Sequence, residues 1–255
     1  MTNKDLADLL FPNITKKIED YEKMYPKRDI EEGMMVTRFA PSPTGRIHMG
    51  SLFAAFVPEV LANQSNGTYI LRIEDTDGKR EIENGIELIL NDLKDYNFKI
   101  DEDPINGGEY GPYVQTERKE IYHTFVKYLI EIGRAYPCFC SQEELDNIRS
   151  GQESRKERIG YYGHYARCRN LSYEEVKKHI DNGDKFVIRL KSQGNFMNKM
   201  VLKDLIKGAI QLPENDIDQV IIKSDGIPPY ALAHVVDDHL MRITHITRDD
   251  SYISS

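Results

Sequence analysis

The segment Ala40-Pro41-Ser42-Pro43-Thr44-Gly45 constrains this chain more than any other. Its two prolines cannot donate to a helix or a strand ladder and its glycine permits a tight turn, so it can only be a loop. Before it, residues 35–39 read as a short apolar strand, and after it residues 49–61 read as a helix. Residues 68–73 supply a second strand that ends in the acidic turn Glu74-Asp75-Thr76-Asp77. Ile86, Ile89, Leu90 and Leu93 recur at helical spacing, which makes residues 82–93 the next helix. Strand, loop, helix and strand in this order predict an α/β fold whose parallel strands are covered by helices. Pro58 removes one backbone donor from the first helix, where a kink is expected.

Turn residues from Gly107 to Pro112 mark a boundary. An amphipathic helix over residues 117–133, the cysteine region and short strands such as residues 185–191 follow, and the stretch to about Asp218 reads as an insertion. Residues 220–222 then resume a buried strand, 230–238 form a helix and 243–247 a further strand, so the first domain closes around the inserted one. The first thirty or so residues, punctuated by Pro12 and Pro26, carry helix signals and form an arm. The expected organisation is an arm over 1–33, a catalytic domain in two parts over 34–116 and 220–255, and an inserted domain over 117–219.

Of the 255 residues, 40% are hydrophobic and 30% charged, which suits an ordinary globular chain with a sizeable core. Every apolar run falls short of the roughly 18 residues that span a bilayer, and the N-terminus lacks a signal-peptide pattern. The expectation is a cytoplasmic protein with no membrane partner. A net charge of -8 argues against wholesale nucleic-acid coating, so any RNA contact must be a local patch. Arg149, Arg155, Lys156, Arg158, Arg167 and Arg169, opposed by Glu153 and Glu157, form one candidate. Three cysteines, two of them in Cys138-Phe139-Cys140, suit a metal or reduced thiols better than a disulfide framework.

Thr44-Gly45-Arg46-Ile47-His48-Met49-Gly50 joins the first strand to the first helix. A tight turn into a helix N-terminus offers free N–H groups and a positive dipole end, where polyphosphate can sit. His48 there can donate to a phosphate oxygen and stabilise charge developing on phosphorus, or it can simply cap the helix.

Thr37 to Gly45 followed by His48-Met49-Gly50 is one of several ordered blocks. Others are Leu71-Arg72-Ile73-Glu74-Asp75-Thr76-Asp77, Gly111-Pro112-Tyr113 with Gln115-Thr116-Glu117-Arg118, Ile222-Lys223-Ser224-Asp225-Gly226, Tyr230, and His234 to Met241. Together, from about Met35 to the last residue, they resemble the bacterial glutamyl branch of the class I aminoacyl-tRNA synthetases. That resemblance implies a Rossmann-like nucleotide-binding fold with an inserted α+β domain that binds the tRNA acceptor end. It also implies a monomer that attaches L-glutamate to tRNA-Glu through glutamyl-adenylate, using ATP with Mg2+. Carried over by position, Arg38 and Arg248 face the two glutamate carboxylates, Ala40, Ser42 and Tyr230 line the pocket, and Glu74 holds the ammonium. Thr44, Gly45, His48 and Gly50 hold ATP, with His48 and Thr44 in the catalytic role.

His48-Met49-Gly50-Ser51 departs at two positions from the consensus His-Ile-Gly-His, and Arg248-Asp249-Asp250-Ser251-Tyr252 stands where the family carries an Arg, an acidic pair and a Trp. The family's second, lysine-bearing loop and its anticodon-binding domain would lie beyond Ser255, so these residues are expected to be an N-terminal fragment, inactive or weakly active alone. Charging of tRNA-Gln is not legible. Resemblance to the zinc-bearing subset implies a structural Zn2+ on Cys138, Cys140 and Cys168, with His164 as fourth ligand and Tyr165 as a substitute. Two rival readings are a paralogue that glutamylates queuosine in tRNA-Asp, and a non-catalytic glutamate- or RNA-binding module.

Overall fold

The computed structural model describes residues 2–77, 81–249 and 252–253. Two compact units make up the chain, one of Lys16–Phe125 with Ile227–Ile253, the other of the first fifteen residues with Val126–Gly226. The arm is therefore divided. Its first helix, α1 (Asn3–Leu10), carries a reciprocal cap in which Thr2 Oγ1 accepts from Asp5 N and Asp5 Oδ2 accepts from Thr2 N, and it falls in the smaller unit. The second, α2 (Ile18–Met24), falls in the larger.

In the larger unit β1 (Val36–Phe39) and β2 (Thr68–Leu71) pair in parallel, Arg38 opposite Ile70, and are joined by α3 (Met49–Gln64). Helix α3 continues past Pro58 without interruption. The hydroxyls of Tyr69 and Thr37 donate to the carbonyls of Ala55 and Pro58, supplying two side-chain donors around the turn where proline removed a backbone one. Helix α4 (Gly85–Asp95) starts later than expected, because Asn84 adopts a left-handed conformation and the Ile82 amide is taken by the Pro43 carbonyl. A 3-10 turn, Gln115–Arg118, leads into α5 (Lys119–Glu131).

The smaller unit holds a three-stranded antiparallel sheet of β3 (Ala135–Cys138), β4 (Val187–Leu190) and β7 (Val220–Ile222), in the order β3-β4-β7. Val220–Ile222, expected to resume the first domain's sheet, thus pairs with a strand of the insertion. Helices α6 (Gln142–Ser154) and α7 (Tyr173–Asp181) each begin with a Ser-x-x-Glu capping box, on Ser141 and Ser172. Strands β5 (Lys199–Asp204) and β6 (Gly208–Pro213) form a separate, largely exposed hairpin.

Helix α8 (Tyr230–Leu240) returns the chain to the larger unit. Residues 243–247, expected as a strand, form none: Val36 N donates to the Thr244 hydroxyl rather than to a backbone carbonyl, which interrupts the ladder. The larger unit's core has two clusters, one around Ile70, Tyr113, Tyr122 and Leu240, the other around Leu71, Ile73, Ile89 and Leu93.

Gly67, between α3 and β2, sets the approach of the two parallel strands. A Cβ there would lie 1.9 Å from the Met35 carbonyl oxygen, backbone that cannot move without disturbing β1. Gly67→Ala is expected to lower stability by about 2–3 kcal/mol or more in a denaturant titration. An unchanged midpoint would show that the β1–β2 junction yields freely.

Candidate functional site

The carboxyl-end loops of the two parallel strands meet. Arg72 N donates to Phe39 O and Glu74 N to Pro41 O, so the proline loop and the acidic turn are stitched together just past the strands, where open α/β sheets bind ligands. Strand alternation then puts Arg38, Ile70 and Arg72 on one face.

That face meets α8 in a buried ion network. Arg38 sets its fork on Asp238, Nε to Oδ1 at 3.2 Å and Nη2 to Oδ2 at 3.3 Å. Arg72 reaches Asp238 at 2.7 Å, Glu74 at 3.4 Å and Asp237 at 3.6 Å, with no solvent exposure. Asp237 is equally buried and accepts from Arg118 Nε at 2.6 Å, Gln115 Nε2 at 2.9 Å and the Tyr122 hydroxyl. Three guanidiniums face three carboxylates. Burial alone would raise the Asp238 carboxyl, but Arg72 and Arg38 outweigh it and hold it below the ordinary range. Glu74, at the edge, is pushed up to about 7 by burial, against the weaker pull of Arg72 and Arg38.

Tyr230 opens α8, its ring 4.2 Å from that of His234 and 5.8 Å from the Arg248 guanidinium. Burial raises its hydroxyl, which also feels the charges of Arg248, Glu74 and Arg38. Arg38, Glu74, Tyr230 and Arg248 are thus brought into one electrostatic neighbourhood. Arg248 Nε is buried and has no hydrogen-bond partner. Ala40 is half-buried on the loop, while Ser42 and Thr44 are exposed on it. Asp250 and Ser251 lie outside the described residues.

His48 is the N-cap of α3. Its Nδ1 accepts from Gly50 N at 3.2 Å and Ser51 N at 3.4 Å, which leaves Nε2 as the protonated nitrogen of the neutral ring, 3.1 Å from Ser51 Oγ. Capping therefore fixes the tautomer, and its one N–H, on Nε2, faces the Ser51 hydroxyl. Arg72, Gln115, Arg118, Asp237 and Asp238 stand in the ordered blocks but carry no role that the sequence assigned. The available signal was several charged residues inside otherwise apolar elements.

In the smaller unit, Cys138, Cys140 and Cys168 bring their sulfurs within 4.8 Å of one another, Cys140 and Cys168 at 3.7 Å. The Tyr161 hydroxyl lies 3.2 Å from Cys140 Sγ and 3.5 Å from Cys138 Sγ, and it accepts from Cys168 N at 3.2 Å. Hydrogen bonds from Cys140 and Cys168 lower the Cys138 thiol far below its ordinary range. His164 is not among the metal-competent ligands here. The 3-10 turn Gly163–Tyr165 buries Tyr165 and leaves His164 exposed against its ring, at 3.9 Å. Tyr165 is itself engaged by Glu157 and Arg155.

Five of the six cations of the basic stretch lie beside a carboxylate. Arg149 pairs with Glu153, Arg155 with Glu157, Arg158 with Asp216, Arg167 with Glu144 and Arg169 with Asp218. No described helix is long and apolar enough to cross a membrane.

Residues 34–255 match the family model described as tRNA synthetases class I (E and Q), catalytic domain. The chain is 52% identical over 259 residues to a glutamate–tRNA ligase of Acetivibrio thermocellus, covering all of this chain and 47% of the relative. It is 48% identical to that of Clostridium beijerinckii, with the same coverage. It thus spans about half the length of the curated relatives it matches. A crystal structure of a glutamate tRNA ligase from Elizabethkingia meningosepticum in complex with its amino acid superposes with a TM-score of 0.79 at 37% identity, over 87% of this chain and 45% of that one. The Rossmann-like fold expected of the larger unit accords with that match, and with charged, strand-end chemistry of this kind the chain belongs to the class I tRNA synthetases of the E and Q group.

Proposed function

We propose that the larger unit binds L-glutamate and ATP for a glutamate–tRNA ligase, and that the smaller unit, which holds most of the inserted domain, receives the tRNA acceptor end. The observation that carries this reading is that Tyr230 feels both the charge of Arg248, whose Nε is buried without a hydrogen bond among the described residues, and that of Glu74, the edge carboxylate. Glutamate brings two carboxylates and one ammonium. Arg38 is oriented by Asp238, and its Nη1 makes only a 3.5 Å contact with Thr247 O, so Arg38 and Arg248 both have donors to offer a carboxylate. Glu74 accepts the ammonium, and Ala40, Ser42 and Tyr230 line the pocket.

The glutamate α-carboxylate oxygen then attacks the ATP α-phosphate and pyrophosphate leaves, which gives glutamyl-adenylate. A ribose hydroxyl of the tRNA 3′ end attacks its carbonyl, and AMP departs. Thr44, Gly45, Gly50 and His48 Nε2–H hold the phosphates, with Mg2+ accompanying ATP. Positioning and fixed charge supply most of the rate in such chemistry. In calorimetry, a glutamyl-adenylate analogue should bind better than its glutaminyl counterpart, by about tenfold or more, and Arg38→Ala should abolish that preference. Equal binding of the two analogues by the unmodified chain would sink the pocket assignment.

Burial raises the Glu74 carboxyl from its ordinary value of 4.5 to about 7, so the ligand-free site carries a protonated Glu74 below that pH and an ionised one above it. Ammonium recognition needs the ionised form. Glutamate affinity should therefore climb between pH 6 and 8 with release of a proton, and Glu74→Gln should flatten the profile. A flat profile in the unmodified chain would exclude Glu74 as the acceptor.

We further propose one structural zinc in the smaller unit, held by Cys138, Cys140, Cys168 and the Tyr161 oxygen in place of His164. A tetrahedral zinc with three thiolates and one oxygen sets sulfurs about 3.8 Å apart and sulfur to oxygen about 3.5 Å, close to the spacings of this cluster. Zinc would fold this knuckle rather than activate water. Elemental analysis should find one zinc per chain, lost in Cys140→Ser and unaffected in His164→Ala. A metal-free, folded protein with three titrating thiols would refute it.

A further inference from the structure

Helix α4 carries a carboxylate where its pattern calls for an apolar side chain. Asp92 lies beside buried Ile89 and Leu93 and is itself buried. A mid-helix aspartate is unfavourable because its side chain competes for backbone groups, and burying its charge adds to the cost. The compensation comes from outside the helix. Asp92 Oδ2 accepts from Ile47 N at 3.0 Å, and Oδ1 lies 3.6 Å from Arg46 Nη1. Arg46 is 74% exposed, so that ion pair is screened and contributes little, and the amide is the decisive contact.

Ile47 packs against the Leu71–Ile89–Leu93 cluster, and the next residue is His48. The same helix supports the loop at its other end. At Gly85 a Cβ would lie 2.6 Å from the Pro43 carbonyl oxygen, and Ile82 N donates to that oxygen. Helix α4 is therefore the template on which residues 43–47 are laid down before α3 begins.

We propose that Asp92 is a positioning residue for the nucleotide part of the site, fixing through the Ile47 amide the direction in which His48 and the first turn of α3 are presented. It touches no ligand. This role rests on the reading of the His48 loop as the phosphate seat. Loss of the acceptor leaves the Ile47 N–H unpaired beside the apolar cluster, and the loop is then free to adopt other approaches to α3.

The test uses Asp92→Ala and Asp92→Asn, since asparagine keeps an acceptor oxygen at the same reach. Three readouts are taken: calorimetric affinity for a non-hydrolysable ATP analogue, calorimetric affinity for L-glutamate, and hydrogen exchange of the Ile47 amide by NMR. Asp92→Ala should weaken the ATP analogue about tenfold, leave glutamate within about twofold and release the Ile47 amide to exchange. Asp92→Asn should restore both nucleotide affinity and amide protection. Unchanged nucleotide affinity in Asp92→Ala, equal loss of both ligands, or an asparagine variant as impaired as the alanine one would each overturn the proposal. If the unmodified chain binds glutamate but no nucleotide, the reading of the His48 loop fails instead, while the exchange data still report whether Asp92 holds Ile47.

Discussion

The larger unit depends on one interaction, the grip of Asp237 and Asp238 on Arg38, Arg72 and Arg118. A fully buried guanidinium is tolerable only when opposite charge and hydrogen-bond acceptors surround it, and removal of one partner from such a network typically costs on the order of 3–5 kcal/mol. Asp237 and Asp238 are adjacent on α8, yet they reach both parallel strands and the turn before α5. Residues more than a hundred positions apart are joined, and strand ends, acidic turn and helix are locked in one geometry.

The same network extends outward into the arm. Arg118 donates to the carbonyls of Tyr110 and Pro112 and faces the Tyr25 ring, while Tyr25 donates to the Gly111 carbonyl. Arg28 forms a two-pronged pair with Glu102, at 2.5 and 2.9 Å, donates to Met241 O and stacks on Tyr110. Residues 16–33 are thus the outer layer of the unit that holds the candidate site. Neutralisation at the centre leaves the edge of the network chemically distinct. Glu74 is desolvated without being fully paired, and the Arg248 Nε has no partner.

The smaller unit has its own hub. Asp218 is fully buried and accepts from the Tyr136 hydroxyl at 2.6 Å and Ser192 N at 2.8 Å, and its carbonyl accepts from Arg189. Arg189 in turn stacks on Tyr161 at 4.1 Å, which fixes the ring whose hydroxyl meets the cysteines. The family resemblance offered His164 for that place, and in this fold it lies exposed on the 3-10 turn. The tight turn at Gly163, with positive φ, reverses which neighbour faces inward.

Much was legible along the chain because local patterns act through local physics. The proline loop cannot be regular structure, the side-chain patterns located α3, α4, α5 and α8 to within a few residues, and the ordered blocks contain Arg38, His48, Glu74 and Tyr230. The Ser-x-x-Glu caps of α6 and α7 are equally readable, whereas the partner of β7 is not written in its three residues. What the sequence by itself determined was the succession of elements and the residue types available for chemistry, since both follow from side-chain period and backbone freedom. Only the tertiary structure decided which charges neutralise one another: that Arg38 is oriented by Asp238, that five of the six cations of the basic stretch lie beside a carboxylate, and that Tyr161 stands at the cysteines. Electrostatic pairing and desolvation depend on distance in space, and that distance is set by the packing of the whole unit.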